Sequence, residues 1–228
     1  RGEVSGTKLA GSALGAFQAL SEEQRLAFFL ALAEDFDLDP DAVAEAAEAY
    51  KVTPGKRELK QLMKSAEPQR IELLRRLNQV PGATESLVRM REALMKLIAD
   101  NPVLERADAD FERLFAGWFN RGFLVLRPID WKTPANILEK IIQYEAVHAI
   151  NDWDDLRRRL EPEDRRCFAF FHPVMPEEPL IFVEVALTRG IPNSIDELLS
   201  EERKTLAEAK ADTAVFYSIS NCQAGLKG

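Results

Sequence analysis

The first half of this chain keeps interrupting itself. Ser21, followed three residues later by Gln24, forms a capping box ahead of QRLAFFLALAEDF, and Asp39-Pro40 reads as an N-cap and first helical position for PDAVAEAAEAYK. Pro54-Gly55 precedes KRELKQLMKSA, Pro68 opens QRIELLRRLNQ, and Val80-Pro81-Gly82 precedes ESLVRMREALMKLIAD. Asn101-Pro102 and an acidic stretch introduce FERLFAGWF. Proline removes a backbone donor and glycine loosens the chain, so no single long helix can run through these points. Within the pieces, apolar residues recur at helical spacing, as at Leu73, Leu74 and Leu77. The pattern predicts a bundle of short helices with short connections, so that neighbours pack antiparallel. Thr84 is read as the cap of ESLVRMREALMKLIAD, and the small, polar opening RGEVSGTKLAGSALG as a frayed terminus.

The character changes near Trp118. RGFLVLRPI reads as a strand, with Phe123 and Val125 alternating against Leu124 and Leu126. Thr133-Pro134 caps ANILEKIIQYEA, and Asn151 caps DWDDLRRRL. CFAFFHP and EPLIFVEVALT, joined by the proline-rich PVMPEEP, read as a hairpin or adjacent strands. A charged helical stretch, SIDELLSEERKTLAEAKA, leads to a last strand, TAVFYSIS. The fold class is therefore α+β, with about four strands in the second half and no regular βαβαβ alternation.

Composition removes several functions. A net charge of -8 argues against nucleic acid as the main partner. No apolar run approaches the roughly 18 residues that a membrane span needs. Cys167 and Cys222 lie far apart without a CxxC pair, and with His148 and His172 they give no zinc spacing. Buried or free thiols are the expectation.

The last residues carry the most chemistry. Residues two apart in a strand share a face, so Ser218 and Ser220 point one way and Tyr217 and Ile219 the other. Ser220 sits where strand becomes loop, a common place for a working side chain; the plainer reading is a serine satisfying a nearby backbone group. The glycine-spaced GLKG that follows would let backbone N–H groups approach a phosphate, or is simply a turn. His172 precedes a proline at a strand end, and His148 reads as a helix C-terminal residue. The Arg157-Arg158-Arg159 run reads as a solvated helix face balanced by Asp152, Asp154 and Asp155, or as a phosphate site.

Four segments together, GWFNRGFLVLRPIDWKTPANILEKI, YEAVHAINDWDDLRRRLEP, RRCFAFFHPVMPEEPLIFVEVALT and AVFYSISNCQAGLKG, resemble malonyl-CoA decarboxylases in order and separation. The likeness is close from about Trp118 to Gly228 and looser before it, where RMREALMKL is the best piece. It implies an N-terminal helical domain used in oligomerisation (1–82, with the helices up to about 118 assignable to it) and a GNAT-type catalytic domain with a mixed sheet (83–228). The implied reaction converts malonyl-CoA to acetyl-CoA and CO2 without metal or organic cofactor. A serine and a histidine carry it in the family. The serine matches Ser220, with Ser218 as rival, in a role that hydrogen-bonds the substrate's carboxylate or the protonating group without acylation. The family's substrate-binding stretch matches Pro192, Asn193, Ser194, Ile195, Asp196, Glu197 and Leu198. Its CoA loop matches Gln223, Gly225 and Gly228, although the glycine spacing departs from the usual GNAT pattern.

Neither His148 nor His172 matches the family's histidine, so the resemblance implies a catalytic domain incomplete on its C-terminal side. The implied partners are malonyl-CoA and further copies of the chain, as a dimer or tetramer, with no nucleic acid and no membrane. The implied setting is a bacterial cytoplasm, or a mitochondrion or peroxisome in a eukaryote. Two other functions compete: a GNAT-type acyl-CoA transferase, and a non-catalytic helical interaction module.

Overall fold

The structure is a computed structural model and describes residues 2–227. The chain divides into two compact units, one of residues 1–118 with 225–228 and one of residues 119–224.

The first unit is helical: α1 (Gly2–Gln18), α2 (Glu22–Glu34), α3 (Pro40–Val52), α4 (Lys56–Ser65), α5 (Gln69–Leu77), α6 (Ala83–Met95) and α7 (Glu105–Trp118). The capping box at the start of α2 is complete: Ser21 Oγ accepts from Gln24 N–H, and the Gln24 side chain accepts from Ser21 N–H. Asp39 caps α3 with Pro40 at its first position. Two expectations need correction. From Gly2 on, the opening stretch lies in α1, which Ala10 and Leu14 tie down by burying their side chains; Arg1 falls outside the described residues. Thr84 does not cap α6; Gly82, at φ 76°, turns the chain in, and Thr84 lies inside the helix donating to Asn78 Oδ1 at 2.8 Å. The core of this unit includes Phe29, Ile71, Leu87, Leu94 and Phe111, each with almost no exposed surface. Burying one such side chain contributes about 1.5–3 kcal/mol.

The second unit carries β1 (Val125–Ile129), α8 (Ala135–Tyr144), α9 (Trp153–Leu160), β2 (Arg165–His172), β3 (Met175–Thr188), α10 (Ile195–Leu199) and β4 (Thr213–Asn221). The strands form one sheet in the order β1-β2-β3-β4. Every pairing among them is antiparallel, where a mixed sheet was expected. The first strand starts only at Val125, since Arg121–Phe123 form a 3-10 turn that the Asn120 side chain accepts at Gly122 N–H. The N-cap of α9 is Asp152 rather than Asn151.

One face of the sheet buries Cys167, Ala169, Phe171 and Phe182 against Ile137, Leu138 and Ile141 of α8 and Leu156 and Leu160 of α9. Alternation along β4 breaks once. Glu184 pairs with Ser218 but Val185 pairs with Phe216, so Tyr217 is an extra residue, a β-bulge. Tyr217 and Ser218 are therefore both buried, where strict alternation would have put Tyr217 on the opposite face. The long charged helix expected after Ser194 shrinks to the five residues of α10. Asp164 holds the chain beyond it, accepting from Leu206 N–H at 2.9 Å and pairing with Arg203 at 2.7 Å.

Candidate functional site

The last strand brings both serines to the buried, helix-covered side of the sheet, each only 2% exposed. What meets them there is Glu145, the residue that ends α8. It leaves the helix with extended backbone (φ -66°, ψ 108°), so its side chain folds back over the three residues that follow. Its Oε1 accepts from Val147 N–H at 2.8 Å and His148 N–H at 2.7 Å. Ser218 Oγ lies 2.8 Å from each carboxylate oxygen, and Ser220 Oγ lies 3.2 Å from Oε2. Ser220 Oγ in turn accepts from Ala146 N–H at 3.4 Å. A carboxylate has acceptor sites only, and Glu145 fills them with backbone donors from its own loop and hydroxyl donors from β4.

A second charged cluster lies beside the first. Arg159 donates to the carbonyls of His148 and Ala149 at 2.7 and 2.9 Å, to Asp155 at 3.2 Å and to Glu184 at 3.3 Å. The other oxygen of Glu184 has no hydrogen-bond partner among the described residues, and the same holds for the Tyr217 hydroxyl. Burial pushes the Glu184 carboxyl up to about 7, against the pull of Arg159 and with the help of the Glu145 charge. Burial also raises the Tyr217 phenol.

The remaining candidates are scattered. Asn193, Ser194, Asp196 and Glu197 are exposed, Pro192 and Ile195 half-buried, and Leu198 buried against Ala186 and Tyr217. Ser194 caps α10 at Glu197 N–H, and the Leu198 carbonyl accepts from Arg165. Gln223 is buried, its amide nitrogen donating to the Pro179 carbonyl at 3.0 Å and to Glu178 at 3.4 Å. Gly225 lies against α6: an added Cβ would sit 2.1 Å from the Val88 carbonyl oxygen, and the Gly225 carbonyl accepts from Arg91 at 3.3 Å. Gly228 falls outside the described residues. His148 lies in the loop after α8 rather than in its last turn, and His172 packs its ring 5.1 Å from Phe119.

The arginine run is paired within the unit. Arg157 stacks over Trp131, Arg158 pairs with Glu201 at 2.9 Å, and Arg159 is buried. Among the described residues no group of His, Cys, Asp or Glu side chains is arranged to hold a metal ion.

Comparison with known proteins decides the family. The profile of the malonyl-CoA decarboxylase N-terminal domain matches residues 36–119, and that of the malonyl-CoA decarboxylase C-terminal domain matches residues 122–228. This chain belongs to the malonyl-CoA decarboxylase family. Among solved malonyl-CoA decarboxylases, that from Rhodopseudomonas palustris superposes on the whole chain with a TM-score of 0.95 at 56% identity. That from Agrobacterium vitis does so with a TM-score of 0.95 at 51% identity. The chain covers 56% and 55% of those two proteins. The mitochondrial malonyl-CoA decarboxylase of the goose Anser anser anser is 36% identical over 211 residues, 86% of this chain and 42% of the relative. The chain thus spans about half the length of the malonyl-CoA decarboxylases it matches.

The functional-looking residues that sequence reasoning missed are Glu145 and Glu184, and Arg159, read as part of a solvated face or a phosphate site, is instead buried on Glu184 and two carbonyls. Glu184 did leave a signal, as a lone acid inside the apolar run LIFVEVALT. Glu145 left none, because its serine partners lie 73 and 75 residues away.

Proposed function

We propose that this chain carries part of the catalytic machinery of a malonyl-CoA decarboxylase. The observation that supports it most is the fit of the entire chain, at 56% identity, onto a malonyl-CoA decarboxylase structure. In the reaction the bond from the malonyl α-carbon to its carboxylate breaks and CO2 leaves. The electron pair passes to the thioester oxygen as an enolate, and the α-carbon then takes up one proton to give acetyl-CoA. Fixed donors must stabilise the enolate oxygen, and a positioned group must deliver the proton. Ser220 serves this step by hydrogen bonding rather than by acylation. Its burial supports the role, since a polar contact gains strength where water is excluded. The stretch from Pro192 to Leu198 contributes exposed polar groups for the substrate. Gln223 acts in holding the end of β4 in place, which is what its buried contacts favour, and Gly225 in seating residues 225–227 against α6.

The reaction as read needs no metal or organic cofactor. We also propose a homo-oligomer formed through the helical unit. Its α4 buries no residue and leaves Leu59 and Met63 exposed, which supports that reading. No helix among the described residues is long and apolar enough to cross a membrane. The bacterial origin of the two most similar structures named above favours a bacterial cytoplasm.

The test supplies malonyl-CoA to the complete product of the gene and follows acetyl-CoA by mass, beside the Ser220→Ala variant. Turnover by the parent and a loss of about 100-fold or more in kcat for the variant are expected, the scale of losing one positioned hydrogen-bonding or proton-transfer group. A parent without turnover sinks the decarboxylase reading. An active parent with an unaffected variant moves the serine role to Ser218.

A further inference from the structure

We propose that Glu145 is a positioning residue that fixes Ser220 as a hydrogen-bond acceptor toward the reacting group; this rests on the decarboxylase reading above. Three contacts carry the inference. Glu145 Oε1 already accepts from Val147 N–H and His148 N–H, at 2.8 and 2.7 Å, so the carboxylate is clamped to its own loop. Ser218 Oγ lies 2.8 Å from both carboxylate oxygens, close enough for its hydroxyl proton to be held there. Ser220 Oγ lies 3.2 Å from Oε2, and Ala146 N–H, itself a donor, points at the same hydroxyl from 3.4 Å.

A hydroxyl has one proton and two lone pairs. At Ser220 the proton is spent on Glu145, and one lone pair receives Ala146 N–H. What remains is a single lone pair, which can receive a hydrogen bond and cannot give one. Of the two tasks open to the serine, a bond to the substrate's carboxylate needs a donor, and a bond to the group that protonates the enolate needs an acceptor. The geometry selects the second. Ser220 orients the proton donor, and Glu145 sets the direction in which Ser220 does so. Ser218 is then a brace for the carboxylate and stays out of the chemistry. Glu145 supplies the acceptor while the two serines carry the geometry, and two segments distant in sequence, the loop after α8 and β4, converge on it.

The experiment measures malonyl-CoA turnover by the complete gene product and by Glu145→Gln, Ser220→Ala, the double variant and Ser218→Ala. In Glu145→Gln an amide N–H2 can replace the Oε2 acceptor and force Ser220 to turn its proton outward. The expected result is a drop in kcat of about 30-fold or more with KM within about threefold, the pattern of an interaction made in the transition state. In the Ser220→Ala background the same change should cost less than about threefold more, because residues that act as one unit are not additive. A purely structural Glu145 would instead lower activity by the same factor in both backgrounds. That result, or an unchanged kcat in Glu145→Gln, overturns the proposal. Ser218→Ala keeps the charge and the Ser220 contact, and serves if Glu145→Gln does not fold. A loss under about fivefold is expected, and a loss equal to that of Ser220→Ala overturns the assignment. A parent that does not turn over malonyl-CoA overturns the decarboxylase reading together with this one, and is distinct from an active parent whose Glu145→Gln variant is unaffected.

Discussion

The guanidinium of Arg159 lies 3.3 Å from the carboxylate of Glu184, and neither side chain is appreciably exposed. Arg159 also holds the His148 and Ala149 carbonyls, so one cation fixes both a strand and the loop that carries Glu145 to its serines. Replacing it by methionine, similar in reach but uncharged, removes the pull that favours the Glu184 carboxylate, takes a partner from Asp155 and frees two carbonyls. The expected cost is about 3–5 kcal/mol, the range for breaking a buried ion pair on one side. Urea unfolding of the variant beside the parent measures it, and a loss under about 1 kcal/mol contradicts the account.

Glu184 makes stability depend on pH. Its ordinary carboxyl value near 4.5 rises to about 7 in the folded chain, chiefly through burial. Below about 4.5 both folded and unfolded states hold the proton, and the group is neutral to stability. Between about 4.5 and 7 only the unfolded state releases it readily, so stability falls as pH rises through this window. The groups facing it are Arg159, Arg165, Glu145, Asp155, Cys167 and Tyr217. Glu184→Gln removes the titration, so its stability relative to the parent should improve from pH 5 to pH 8, by about 3 kcal/mol at most. Melting temperatures at both pH values test the sign; a relative loss on going to pH 8 refutes it.

Gly225→Ala probes the role of the glycine packed on α6. The new methyl group would sit 2.1 Å from the Val88 carbonyl oxygen, and backbone there cannot move aside cheaply. The expected cost is about 1–3 kcal/mol or release of the 225–227 segment from α6. Thermal melting and limited proteolysis would show either. An unchanged melt with a raised KM for malonyl-CoA would place the glycine at the ligand instead.

Both thiols should be silent in the folded protein. Burial drives the Cys222 thiol up to about 12, and burial beside Glu184 and Glu145 raises Cys167 well above its usual range. A disulfide reagent at pH 8 should find none of the two cysteines in the native chain and both after denaturation. Fast native labelling of one thiol would contradict their burial.

The sequence disclosed what is decided locally. Ser21 with Gln24, and Asp39 with Pro40, announce their helices because each cap is complete within four residues. The serine pair was legible for the same reason, since alternation is a property of one strand. What escaped was set by distant partners. The first helix shows little pattern in its small residues, yet Ala10 and Leu14 secure it by packing. The charged stretch after Ser194 has good helix formers, but Asp164 holds Arg203 and Leu206 N–H and keeps it from continuing. Glu145 looked like one more residue of a helix, because nothing near it in sequence reveals the hydroxyls it meets.

Tyr217 leaves β4 with two parities. Up to Phe216 the odd-numbered residues turn toward the helices, and from Ser218 onward the even-numbered ones do. Striking out Tyr217 would splice the two halves into one unbroken pleat, with Phe216 outward and Ser218 and Ser220 still inward. The serines thus do not need the extra residue to face where they face. What it adds is a place: one more inward ring, seated against Leu198 and Ala186, in a strand whose alternation had no vacancy for it.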